Sequence, residues 1–381
     1  MLARIPSLEP APRIERRAHR IKDPVERLRY LRREMSRARR RRFQVLRHLA
    51  WIALPAILAI APWPHSSGSA ETLALERRLM VPSQMPPVPQ TPAVVPRIWR
   101  VEHSASTDVY SNGLRVELAF KVANRPRAHF HIYSVAGGTQ PLKDGTAPIG
   151  IVYHTSESHL APFQEEENRR LNQLGRNLVE GVRRERAYHY VIDRFGRVFN
   201  VVAESDAANH AGASVWADSD GVYVNLNDSF LAVSFEGQTD AADEVTPAQI
   251  AAARVLTEML RSRYGIRAED CVTHAQVSVN PYNMHIGNHT DWAAKFPFAK
   301  LGLPDNYSLP PASVFVFGFE YDSVFLRMAG GDRWKGLDLA GLYVERQAAA
   351  EHVSVERYRA ALRQRYKEIA AILKKESSGG T

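Results

Sequence analysis

Apolar and polar positions alternate along Leu114–Val122 and again along Ala128–Val135, and this period of two predicts a half-buried strand over each stretch. Ile149–His154 is a short apolar run ending on a polar residue, the pattern of a buried strand that stops at a sheet edge. Glu165–Arg186 reads as a charged helix. Tyr188–Ile192 and Val198–Val202 flank the turn residues Asp193–Gly196 and predict a hairpin, and Ser229–Phe235 predicts a further strand. Thr246, Pro247 and Gln249 are start signals for a helix: a capping hydroxyl, a proline in the first turn, and an amide placed to close a capping box. That helix runs to about Tyr264, where Gly265 suits the C-terminal cap. Val272–His274 reads as a last strand, and Val353–Lys375 as an amphipathic helix. Strands separated by helices, with polar residues at strand ends, predict an α/β fold: a mixed central β-sheet flanked by helices, its site at one sheet edge.

Composition shifts divide the chain. Residues 1–48 hold sixteen Lys/Arg against five Asp/Glu, so the formal net charge of +9 belongs to this segment and the rest is nearly neutral. A neutral body without a basic stripe argues against nucleic-acid recognition. Residues 49–63 are uncharged and apolar, and the arginine cluster before them predicts a signal-anchor held with its N-terminus inside, or else a signal peptide cut near Ser67–Ala70. Either reading exports the body to the cell envelope or periplasm, the first anchoring it to the inner membrane. Residues 64–98 carry six prolines between Pro82 and Pro96 and read as an extended linker. Residues 99–146 form a β-rich extension, 147–304 a catalytic domain, and 305–381 a small C-terminal α+β module ending in a long helix. Trp334 in that module invites two readings, a sugar-packing surface or cover for one side of the catalytic domain, the second preferred.

The chemistry concentrates in three separated segments. His154 ends the apolar strand, His274 follows Thr273, and Asp291 closes His289-Thr290-Asp291. Two imidazoles and a carboxylate with one position left open are what a catalytic Zn2+ requires. Such a site lowers the pKa of bound water to about 7. The single cysteine, Cys271, precludes an internal disulfide, and period two places it on the face opposite His274, so it reads as a structural residue. His129 and His131 alternate with apolar residues and read as solvent-face strand positions; His159, His189 and His285 read as simple polar residues.

Taken in order, Ile151–Thr155, Tyr188–Gly196, Asn209–Gly212, Asn227–Gly237, the Thr246 helix, Thr273-His274 and His289–Asp291 with Phe296-Pro297 resemble the type 2 family of zinc-dependent N-acetylmuramoyl-L-alanine amidases, which includes the peptidoglycan recognition proteins. The resemblance covers about residues 147–304. It implies His154, His274 and Asp291 as zinc ligands, and hydrolysis of the amide between the MurNAc lactyl group and L-alanine of peptidoglycan or muropeptides. His289 stands where the family often has lysine, a position associated with oxyanion stabilisation. Ser234 stands where some members have a glutamate base; Tyr188 matches the tyrosine other members use, and Glu236 is the second candidate proton carrier. Asn209 and His210 fall in the family's peptide-contact segment. Two other functions stay open on this evidence: a peptidoglycan-binding module with a weak or inactive site, and a zinc hydrolase of a different amide. Oligomeric state is not specified by the chain.

Overall fold

The computed structural model describes residues 96–379 apart from 128, 240–244 and 331–332, and these described residues fall within one unit. The basic segment, the apolar run 49–63 and nearly all of the proline-rich linker lie outside the described residues. Among the described residues no helix is long and apolar enough to cross a membrane.

The core is an eight-stranded mixed sheet. Its strands are β1 (Arg100–His103), β2 (Thr107–Tyr110), β3 (Arg115–Glu117), β6 (Gly150–Thr155), β7 (Tyr190–Ile192), β8 (Val198–Asn200), β11 (Phe230–Phe235) and β12 (Cys271–Thr273), in the spatial order β1-β2-β3-β8-β7-β11-β6-β12. Towards one side of the sheet, ending at the edge strand β12, β7, β11, β6 and β12 run parallel. β6 and β11 are buried at all six positions of each, which explains why both read as continuous apolar runs rather than alternating ones. A second, antiparallel sheet in the order β5-β4-β10-β9 is built from β4 (Phe130–Tyr133), β5 (Pro141–Gly145), β9 (Val215–Ala217) and β10 (Val222–Val224). Within the alternating run Leu114–Val122 only the three residues Arg115–Glu117 form a strand, β3; the Leu118 N–H adds one bond in register to the Ser106 carbonyl (2.8 Å), and Val122 makes an isolated bridge to Val202.

Helices cover both faces. α1 (Asn168–Glu185) lays Val179 and Val182 on Val191, Phe199 and Val201. α2 (Pro247–Tyr264) lays Ala253, Leu256 and Leu260 on Ile151, Tyr153, Leu231 and Val233, on the opposite face of the same sheet. Its start is a reciprocal capping box: Thr246 Oγ1 accepts from the Gln249 N–H (3.1 Å), and Gln249 Oε1 accepts from the Thr246 N–H (3.1 Å). Gly265, at φ +68°, closes the other end in the left-handed conformation. Cys271 sits fully buried in the cluster under α2, where burial pushes its thiol up to about 12.

α3 (His274–Val277) follows β12 directly, and the short pair β13 (Val279–Asn280) and β14 (His285–Ile286) follows α3. The C-terminal residues are helical: α4 (Ala312–Phe317), α5 (Ser323–Met328), α6 (Lys335–Ala350) and α7 (Val355–Gly379). The α+β expectation for this module is therefore corrected. Ala312–Phe317 is buried at every position, so no periodicity marks it as helix, and a short apolar run suits either structure. These helices share one cluster with the hairpins: Phe315, Leu337 and Leu362 pack with Val215, Val222, Val279 and Ile286. Trp334 is 3% exposed, stacks on Tyr307 (5.2 Å between centroids) and donates its indole N–H to the Ala293 carbonyl (2.7 Å), so it is packed against the loop at Ala293 and does not present its ring to a sugar.

The α6 contact yields a prediction of unusual sign. Gly→Ala inside a helix normally stabilises by up to about 1 kcal/mol. At Gly336 an added Cβ would stand 1.8 Å from the Leu309 carbonyl oxygen, which is backbone and cannot rotate aside. Gly336→Ala should therefore destabilise by roughly 3 kcal/mol. An unchanged urea midpoint would show that α6 does not seat against Leu309.

Candidate metal centre

His154 is the fifth of the six residues of β6, fully interior at 1% exposure and directly opposite Ser234 in the parallel β11–β6 register. His274 opens α3 immediately beyond the end of β12, so two neighbouring parallel strands deliver both imidazoles to one sheet edge. Gln276 steadies that junction: its Oε1 accepts from the Thr273 N–H (2.9 Å) and its Nε2 donates to the Asn306 carbonyl (2.7 Å). Asp291 is carried in by the loop after β14 and held by a backbone bond from the Ala275 N–H to its carbonyl (3.2 Å).

The three side chains meet. One ligand atom from each of His154, His274 and Asp291 lies within 4.8 Å of the others, and this is the group of such residues found among the described residues. His154 Nδ1 lies 3.1 Å from Asp291 Oδ2, and His274 Nδ1 lies 2.9 Å from Oδ1 and 3.2 Å from Oδ2. Ligands at ~2.0–2.1 Å from a tetrahedral zinc stand about 3.3 Å apart, so this spacing and donor set fit the ion. Burial works to raise the Asp291 pKa, but His274 and His154 outweigh it and hold the carboxyl well below its usual range. Burial, with His274 alongside, lowers His154 to about 4, which leaves its imidazole neutral and able to ligate at pH 7.

Around the triad, the Tyr188 ring lies 5.0 Å from that of His154. Burial, with Asp291 nearby, raises its hydroxyl well above the ordinary tyrosine value, so it remains protonated. His289 is exposed, stacks face to face on His274 (4.7 Å, 16° between planes), and is fixed by its backbone N–H to Ser278 Oγ (3.0 Å). Burial and His274 lower its pKa. The Glu236 carboxylate is directed elsewhere: Oε2 accepts from the Arg194 N–H (3.0 Å) in the turn after β7 and lies beside Gly175 of α1. Asn209 is exposed and tied to the end of α1, its side chain donating to the Glu185 carbonyl (3.2 Å). His210 is interior, 7% exposed, with Nδ1 3.1 Å from His154 Nε2. Sequence reading did not anticipate that contact, nor the parts of Ser278 and Gln276. His189 is a core residue, accepting the Ala232 N–H at Nδ1 (2.9 Å), and His285 stands apart beside Asp322.

Residues 144–293 match the family model described as N-acetylmuramoyl-L-alanine amidase. No curated protein matches the chain. Similar solved structures include the N-acetylmuramoyl-L-alanine amidase LysC from Clostridium intestinale, at 21% identity over 43% of this chain and 88% of that one, TM-score 0.27. The amidase AmiD from E. coli, solved with anhydro-N-acetylmuramic acid-L-Ala-D-gamma-Glu-L-Lys, is 17% identical over 63% and 94% of the two chains, TM-score 0.33. The Drosophila peptidoglycan recognition protein SD is 17% identical over 41% and 79%, TM-score 0.26. Within residues 144–293 the candidate ligands stand on β6, just beyond the end of β12 and on the loop that closes the match.

Proposed function

We propose that this protein is an exported zinc-dependent N-acetylmuramoyl-L-alanine amidase that hydrolyses the bond between the MurNAc lactyl group and L-alanine in peptidoglycan or its muropeptides. The observation carrying this reading is the convergence of His154 Nδ1 and His274 Nδ1 on Asp291 Oδ2, at 3.1 and 3.2 Å, within a segment that matches the amidase family model. The basic segment and apolar run 1–63 support anchoring to the inner membrane.

Bound at these three residues, zinc would supply Lewis acidity and a water of lowered pKa. The chain supplies the remainder. Asp291 offers a permanent negative charge and both imidazoles are placed to offer lone pairs. Tyr188 keeps its proton at neutral pH, so it serves as a hydrogen-bond donor toward developing charge and the leaving amine, not as an ionised base. His289, on the exposed side of His274, donates one further hydrogen bond in place of the charge a lysine would bring. Glu236 keeps the turn at Arg194 in place. A second reading, a peptidoglycan-binding module with weak or no activity, draws on Ser234: the position facing His154 across β11 holds a hydroxyl, not a carboxylate.

Release of stem peptide from a purified muropeptide separates the two. The expected result is release that stops with a zinc chelator and returns with added zinc. Binding without release supports the module reading, and release indifferent to the chelator overturns the metal mechanism.

A further inference from the structure

The environment of His154 carries one step more, resting on the metal reading above. The ring uses both nitrogens. Nδ1 faces Asp291, 3.1 Å from Oδ2, and Nε2 faces His210 Nδ1, also at 3.1 Å. The two rings meet edge-on, 88° between planes and 5.3 Å between centroids. When Nδ1 gives its lone pair to a metal, the proton of neutral His154 has only Nε2 left, and His210 Nδ1 must be the acceptor. His210 is built in to stay there. Its own N–H and that of Ala211 both donate to Asn227 Oδ1, at 3.0 and 2.8 Å. The ring of His189, 6.0 Å away, backs it from the interior. Among the described residues His210 Nε2 is buried without a hydrogen-bond partner, and the polar bond this ring makes is the bond to His154.

We infer that His210 is a positioning residue for the metal site: it accepts the His154 Nε2–H, fixes the tautomer that presents Nδ1, and is itself set by Asn227. Outer partners of this kind orient the imidazole and raise its basicity. His210 thereby acts on the metal through His154 and not on the peptide, although it lies in the family's peptide-contact segment.

The test is the zinc dissociation constant of the full chain, measured by competition with a chromophoric chelator, for wild type, His210→Ala and His210→Asn. His210→Ala should weaken zinc binding by about 10- to 100-fold. His210→Asn, whose side-chain oxygen can take the place of Nδ1 as acceptor, should recover most of that loss. Thermal unfolding in chelator, similar for all three, checks that the fold persists. Unchanged zinc affinity in His210→Ala overturns the inference, above all if KM for a muropeptide rises instead, since that outcome marks a substrate contact. Equal losses in both variants assign His210 to packing and overturn it as well. A wild type that binds no zinc removes the metal reading itself, a different failure from a wild type that binds zinc with His210 immaterial.

Discussion

Asp291→Ala should leave a protein that no longer holds stoichiometric zinc and releases no measurable stem peptide. Asp291 is the hub of the triad: both Nδ1 atoms lie within 3.2 Å of its carboxylate oxygens, whereas the two imidazoles reach each other only through ring contact at 4.4 Å between centroids. It is also the site's negative charge, kept ionised by His274 and His154 against the cost of burial. Removing it leaves two neutral ligands, one short of the three that catalytic zinc sites use. The loss in affinity should exceed the roughly 100-fold that deleting an outer partner can cost. Metal analysis after dialysis against a weak chelator, alongside peptide release, checks both halves. An Asp291→Ala protein that keeps one tightly bound zinc would sink the site as drawn here.

Tyr188→Phe should lower kcat by about 10²- to 10³-fold while leaving zinc affinity within a factor of two or so, since a positioned proton donor is worth that order and the hydroxyl is not a ligand. The expectation follows from the 5.0 Å approach of its ring to His154 and from a hydroxyl that burial keeps protonated. The sign of that shift has a kinetic consequence. Because the pKa lies above the ordinary tyrosine value, Tyr188 does not ionise anywhere between pH 6 and about 10, and the alkaline limb of the rate profile should have the same shape in wild type and variant. A kcat equal to wild type would remove Tyr188 from the chemistry. A large loss of zinc in the variant would instead place it in the support of the metal site.

Local signals in the sequence transferred well to structure. The Thr246-Pro247-Gln249 start and the Gly265 stop of α2 are contacts within four residues of each other, so they depend on little beyond their own segment. The ends of β6 and β12 were legible to within a residue for the same reason: β6 runs one residue past His154 to Thr155, and β12 stops at Thr273, with His274 opening α3. The α+β expectation for the module 305–381 failed where local information is thin: the fully buried run 312–317 shows no period, and only packing against α6 and the hairpins decides between strand and helix. Glu236 illustrates a different limit. Period two keeps it on the side of Ser234, yet β11 ends at Phe235 and the carboxylate turns to the Arg194 N–H, a partner 42 residues earlier. His210 is the opposite case, a residue that the resemblance places in a peptide-contact segment and that lies inside against His154, 56 positions away.

By itself, then, the sequence determined the inventory: which residues can ligate, which strands and helices bracket them, and where those elements begin and end. Periodicity and capping act over a few residues, and their energies are set before the chain closes on itself. The tertiary structure alone decided what each candidate touches. His154 and Asp291 are 137 residues apart in the chain and 3.1 Å apart in the fold. That closeness comes from the parallel pairing of β6 with β12 and from the loop bonded back to α3, and no local pattern encodes a contact whose two halves are specified so far apart.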